Sequence, residues 1–199
     1  MPSEQTLNKY YNESGCNRTS KIGYIMNMIR NLSPLTLREW KEWYLTNVHD
    51  ADYLRGIAIS MRQAIPSSEE ITLKDCENYI YDVMFRRTFE GFNKEKKMLA
   101  YLQSNISPDI KESPAEWDSR YFVDFYIKGS DDGIVGIQLK PESFSKGKYE
   151  DMADMERKVN DFKRDYGGEV VIIEYGKDCG EDGLVISNIQ AVERLRKMI

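Results

Sequence analysis

A mixed α/β fold, a sheet flanked by helices behind an N-terminal helical lobe, is predicted by three features of this 199-residue chain. Two segments, YFVDFYI at 121–127 and IVGIQLK at 134–140, alternate with a period of two, the mark of half-buried strands. A helical stripe follows at Met152, Met155, Val159, Phe162 and Tyr166. Then comes EVVIIEY at 169–175, apolar enough for a strand buried on both faces. Strand, helix and strand in that order imply a right-handed crossover, with 169–175 parallel to 134–140.

Composition sets the bounds. Hydrophobic content of 41% and charged content of 31% are those of an ordinary soluble chain with a substantial core. MPSEQTLNKYY holds no apolar signal region and no apolar run spans a membrane, so a cytoplasmic protein is expected. Cys16, Cys76 and Cys179 are scattered and read as reduced thiols. A net charge of −5 leaves nucleic-acid contact to local patches. His49 is the one histidine, which excludes a His-rich zinc site and leaves a Ser-His-Asp system a single possible base. With neither GxxxxGK[ST] nor GxGxxG present, no nucleotide cofactor is expected.

In chain order, residues 1–18 read as a polar arm or irregular segment, and Thr19 or Ser20 as the cap of a helix bearing Ile22, Ile25, Met26 and Ile29. Ser33-Pro34 interrupts it. Thr36 with Glu39 forms a capping-box pattern for a second helix, and a third runs from Asp50 or Asp52 to Ile65. Trp40, Trp43 and Tyr44 read as core rather than as a base-stacking surface, and Asp50 beside His49 as a cap rather than a ligand. Pro66–Glu70 reads as a linker dividing 1–70 from 71–199.

A long helical stretch, bent at Gly91, is expected from Thr72 to about Gln103. Glu90 has Arg86, Arg87, Asn93 and Lys94 at helical offsets, a solvated face. Glu95 instead has Gly91, Phe92, Met98 and Leu99. Its carboxylate either meets a metal or a lysine there or curls out to water at the rim. Arg86, Arg87, Lys94, Lys96 and Lys97 make this helix locally basic, which fits phosphate contact and a solvated face equally well.

After a loop at 107–114, with 116–120 a candidate extra strand, the two alternating segments form an antiparallel hairpin across the turn residues Lys128–Gly133. Asp131-Asp132 belongs to that turn rather than to a metal site. Tyr121, Val123, Phe125 and Ile127 share one face. Pairing Lys128 with Ile134 sets Asp124 opposite Gln138 on the other, Cβ atoms about 5 Å apart, with Lys140 nearby. An acid, an amide oxygen and an ammonium suit a hard cation and a phosphate; a solvated lysine paired with Asp124 is the plainer alternative. Pro141 holds Lys140 extended, 176–183 reads as a loop, and Ser187 with Gln190 as a capping box for the last helix.

Asp124, followed after thirteen residues by Gln138-Leu139-Lys140, resembles the PD-(D/E)xK nuclease signature in its QxK form, and Glu95 matches the glutamate often found on the helix before the sheet. The likeness spans roughly residues 75–175. With the chain length, the helical lobe and the run IQLKPESF, it is most similar to the MjaI-type type II restriction endonucleases. Val123 stands where a proline is usual, and neutral Gln138 where a second acid is usual.

The resemblance implies a restriction-endonuclease-like core in helix-strand-strand-strand-helix-strand order. It implies a homodimeric endodeoxyribonuclease, dependent on Mg2+, that cuts double-stranded DNA at a short palindromic, CTAG-like site. Asp124 would be the central metal ligand, Gln138 a ligand through its amide oxygen, and Glu95 a second carboxylate, direct or through water. Lys140 would hold the attacking water. Residues 1–70 would read DNA and carry dimer contacts, 71–199 would cleave, and Arg86, Arg87, Lys94 and Lys97 are candidate DNA contacts. Two alternatives share the fold: a structure-selective or repair nuclease, and a non-catalytic nucleic-acid-binding module with a decayed site.

Overall fold

The computed structural model describes residues 2–142, 149–177 and 184–199. Cys179, the end of the IQLKPESF run and most of the 176–183 loop lie outside them. Two compact units divide the chain, Met1–Asn93 and Lys94–Ile199.

The first unit is helical. Its opening segment is no arm: Ser3 caps α1 (Glu4–Glu13), accepting from the Thr6 amide at 3.1 Å, and Leu7, Tyr10 and Tyr11 are buried. The single helix expected from Thr19 is two, α2 (Thr19–Ile22) and α3 (Ile25–Leu32). Gly23 parts them at φ 74, where a Cβ would stand 2.5 Å from Met28 Cε.

Helices α4 (Leu37–Asn47) and α5 (Ala51–Ala64) carry the caps read from sequence, Thr36 accepting from the Glu39 amide at 3.2 Å and Asp50 from the Tyr53 amide at 2.8 Å. The Glu39 carboxylate turns instead to the Leu35 amide, so the box is not reciprocal. Trp40 and Tyr44 are core, their polar atoms donating to Met84 O and Ile22 O, each at 3.0 Å.

Next come α6 (Leu73–Tyr81), opened by a reciprocal Thr72/Asp75 capping box, a π-helical segment at Asp82–Arg87, and α7 (Thr88–Asn105). The departure from α geometry thus falls at 82–87 rather than at Gly91. The sequence places a boundary at Pro66–Glu70; in the packing, Cys76, Tyr79, Ile80, Met84, Phe85 and Phe92 join the cluster around Trp40.

In the second unit, β1 (Lys111–Glu112), α8 (Ala115–Tyr121), β2 (Phe125–Lys128), β3 (Ile134–Pro141), α9 (Tyr149–Tyr166), β4 (Val170–Lys177), β5 (Leu184–Ile186) and α10 (Ile189–Met198) follow one another. The sheet runs β1-β2-β3-β4-β5, antiparallel throughout except for the parallel β3–β4 pair. Lys128 faces Ile134, as the hairpin register requires.

Residues 116–120 form no strand. Trp117 and Tyr121, one helical turn apart, bury against Phe162, which favours α8, and the third strand is β1, in what reads as a loop. Phe122 then turns left-handed, at φ 63, and resets the alternation. Tyr121 and Val123 therefore pack with Phe162 and Val170, while Phe125 and Ile127 pack on the opposite side with Met98, Leu102 and Leu195. Gly136 makes room for this, because a Cβ there would stand 2.8 Å from Val123 Cγ2 and 3.2 Å from the Phe162 ring.

Strand β5 is unannounced in the sequence. The expected Ser187 cap is replaced by Asn188, whose side chain accepts from the Glu174 amide at 2.8 Å and donates to Ile172 O at 2.9 Å, extending the β4 ladder.

Gly136→Ala is expected to cost about 1–3 kcal/mol by overpacking. Urea denaturation checks it, and an unchanged midpoint contradicts this account of Val123.

Candidate active site

The site begins where the chain leaves α8. The left-handed turn at Phe122 brings Asp124 to the start of β2, where its amide donates to Ile137 O at 2.9 Å. Asp124 Oδ2 accepts from Gln138 Nε2 at 2.7 Å and from the Leu139 amide at 2.8 Å. Asp124 is 8% exposed and Gln138 2%. Burial, and next the carboxylate of Asp118, push the Asp124 pKa up to about 7; the Leu139 amide opposes the rise, Glu95 adds to it, and Lys140 opposes it.

Gln138 Nε2 also reaches Leu139 O at 3.3 Å, but Gln138 Oε1 is buried with no hydrogen-bond partner. Leaving such an acceptor unsatisfied costs about 1–3 kcal/mol. An orphaned amide oxygen beside a buried carboxylate is a donor set suited to an oxygen-seeking divalent cation. The residues present therefore fit the ion the resemblance implies. Among the described residues no group of three His, Cys, Asp or Glu side chains could hold a metal, so an ion bound here would draw on the amide oxygen and on water.

Lys140 stands two residues beyond Gln138 on β3, half-buried, with Nζ 4.0 Å from the Phe122 ring centroid. Burial holds its pKa below the ordinary lysine value, against the pull of Asp124 and Asp118, and the Lys158 ammonium adds to the depression. Glu95, half-buried on α7, acts electrostatically on both Asp124 and Tyr175. Asp124, Gln138 and Lys140 thus come together, with Glu95 in electrostatic range.

The candidate DNA contacts fare differently. Arg86 is bound by Asp82 and, at 2.9 Å, by Glu90. Arg87 is bound by Asp82 at 2.7 Å and Glu4 at 2.8 Å. Both guanidinium groups are matched by carboxylates of the first unit. Lys94 is half-buried and Lys97 exposed on α7. Asp132 pairs with Lys128 at 2.6 Å, in keeping with a turn, and the His49 ring stacks on Tyr53 with centroids 3.9 Å apart.

Asp118, Phe122 and Lys158 escape the sequence reading. Asp118 lies where the sequence reads as a candidate strand, Phe122 has no polar signal, and Lys158, three residues after Met155 and four before Phe162, reads as one more charge flanking the apolar stripe. The Trp117/Tyr121 spacing was the available clue to α8.

A five-stranded mixed sheet, helices packed on both faces, and an acid-amide-lysine cluster at its antiparallel pair define a restriction-endonuclease-like fold. The profile of the MjaI restriction endonuclease family matches residues 4–189, and the chain belongs to that family. Membership implies an endodeoxyribonuclease acting on DNA, of a kind that generally uses a divalent metal. No curated protein and no solved structure matches the chain significantly. No helix among the described residues is long and apolar enough to cross a membrane.

The raised Asp124 pKa has a definite sign. Between the unfolded carboxyl value near 3.9 and about 7 the folded state holds a proton that the unfolded state has lost, so stability falls as pH rises through that window. In chelator, Asp124→Asn is expected to gain about 3 kcal/mol on the native chain between pH 5 and pH 8. Denaturation of both proteins at each pH checks this, and a pH-independent difference contradicts it.

Proposed function

We propose that this protein is a Mg2+-dependent type II restriction endonuclease of PD-(D/E)xK type that cuts both strands of duplex DNA at a short palindromic, CTAG-like site. The reading is carried by one observation: the buried Asp124 carboxylate, the partnerless Gln138 Oε1 and the Lys140 ammonium gather at β2 and β3. It is supported by the family to which the chain belongs.

When bound, magnesium supplies positive charge to a phosphate oxygen and acidifies a water. Asp124 and the Gln138 amide oxygen would hold it, with Glu95 as second carboxylate, directly or through water. The Lys140 ammonium donates to the attacking oxygen and faces the charge that grows on the phosphate, where partial desolvation strengthens it. Phe122 fixes the lysine by offering its ring face.

A palindrome cut on both strands calls for a two-fold homodimer. Residues 1–70 read bases and carry dimer contacts, and 71–199 carry the cleavage site. For phosphate contact, Arg86 and Arg87 would have to exchange a carboxylate for a phosphate, and Lys94 and Lys97 on α7 are further candidates. The protein works in the cytoplasm.

Incubating the purified protein with a mixed-sequence plasmid and magnesium is expected to give a discrete fragment ladder. Chelator abolishes it, and Lys140→Ala lowers the rate by on the order of 10²–10³-fold. A smear, no cutting, or a preference for branched over intact duplex contradicts the proposal.

A further inference from the structure

The Phe122 ring carries two cations. Lys140 Nζ lies 4.0 Å from its centroid and Lys158 Nζ, from α9, 5.6 Å. Two ammonium groups set over one aromatic ring repel each other, and Lys158 adds to the depression of the Lys140 pKa. Lys158 is 20% exposed and pairs with Asp154 at 2.9 Å, one helical turn away. That pair accounts for its place along α9 but not for a side chain laid in over Phe122. Phe122 itself holds a left-handed conformation that a bulky residue seldom adopts, a cost often found at functional sites. Two lysines gathered beside a buried acid suit an anion that an ion at Asp124 would also attract, and a phosphodiester is such a group.

We propose that Lys158 is a second phosphate-binding lysine of the cleavage site, holding a non-bridging oxygen of the scissile phosphate while Lys140 faces the attacking oxygen. The inference rests on the nuclease reading and adds to it a residue on α9, outside the Asp124, Gln138, Lys140 and Glu95 set.

The test uses the full chain as wild type, Lys158→Met, Lys158→Arg and Asp154→Asn. Single-turnover plasmid cleavage is measured in magnesium, and duplex affinity across a salt series in calcium. Lys158→Met is expected to slow cleavage by roughly 10–100-fold and to lower the slope of log affinity against log salt by about one. Lys158→Arg recovers cleavage to within about tenfold of wild type, because it keeps the charge. Asp154→Asn, which removes the ion pair and keeps the lysine, stays within a few-fold.

Cleavage and salt slope at wild-type values in Lys158→Met overturn this inference and leave the nuclease reading standing. A slow Lys158→Met with an unchanged slope, matched by Asp154→Asn, assigns Lys158 to helix structure alone and also overturns it. A wild type that cuts no DNA overturns both.

Discussion

One buried carboxylate, accepting from the strand opposite it, sets the terms for the second unit. Asp124 Oδ2 takes an N–H from the backbone at Leu139 and another from the Gln138 side chain, so the acid is held on β3 by two donors that move with the strand. Getting it there requires the left-handed turn at Phe122 and the missing Cβ at Gly136, which lets Val123 pack beneath. Burial makes the charged form expensive, and the nearby Asp118 and Glu95 carboxylates make it more so. The Leu139 amide and Lys140 offset only part of that cost, and a divalent ion, as proposed, would supply more.

The neutral Gln138 makes sense in this setting. A glutamate there would set a second carboxylate against Asp124 at about hydrogen-bonding distance, and the two would share a proton. The amide instead gives Asp124 a donor and leaves its own oxygen buried without a partner. The site gives up one negative charge, keeps a free oxygen acceptor, and spares the fold the repulsion of paired acids. Weaker intrinsic attraction for any cation is the corresponding cost.

Legibility in the sequence followed how local the determining interactions are. The β2–β3 hairpin, its register and the Asp124–Gln138 pairing were readable, because strand alternation and turn residues fix them within twenty positions. The core roles of Trp40 and Tyr44 and the caps at Thr36 and Asp50 were readable for the same reason. The segment 115–123 was not, since whether Trp117 and Tyr121 lie on a helix depends on Phe162, some forty residues away. Short strands β1 and β5 take their order from their neighbours rather than from their own residues, and Asn188 is set by β4 rather than by the helix that follows. Within the site, Lys158 and Asp118 acquire meaning only once α8 and α9 are folded beside β3.

The central claim is that Asp124 and Gln138 await a divalent ion, and calorimetric titration of the metal-free protein with manganese near pH 7 tests it most directly. The account predicts saturable binding that releases protons as Asp124 ionises, so that the measured heat changes with buffer ionisation enthalpy, and that disappears in Asp124→Ala. Manganese binding that survives Asp124→Ala unchanged, or no binding to the native chain, would contradict it.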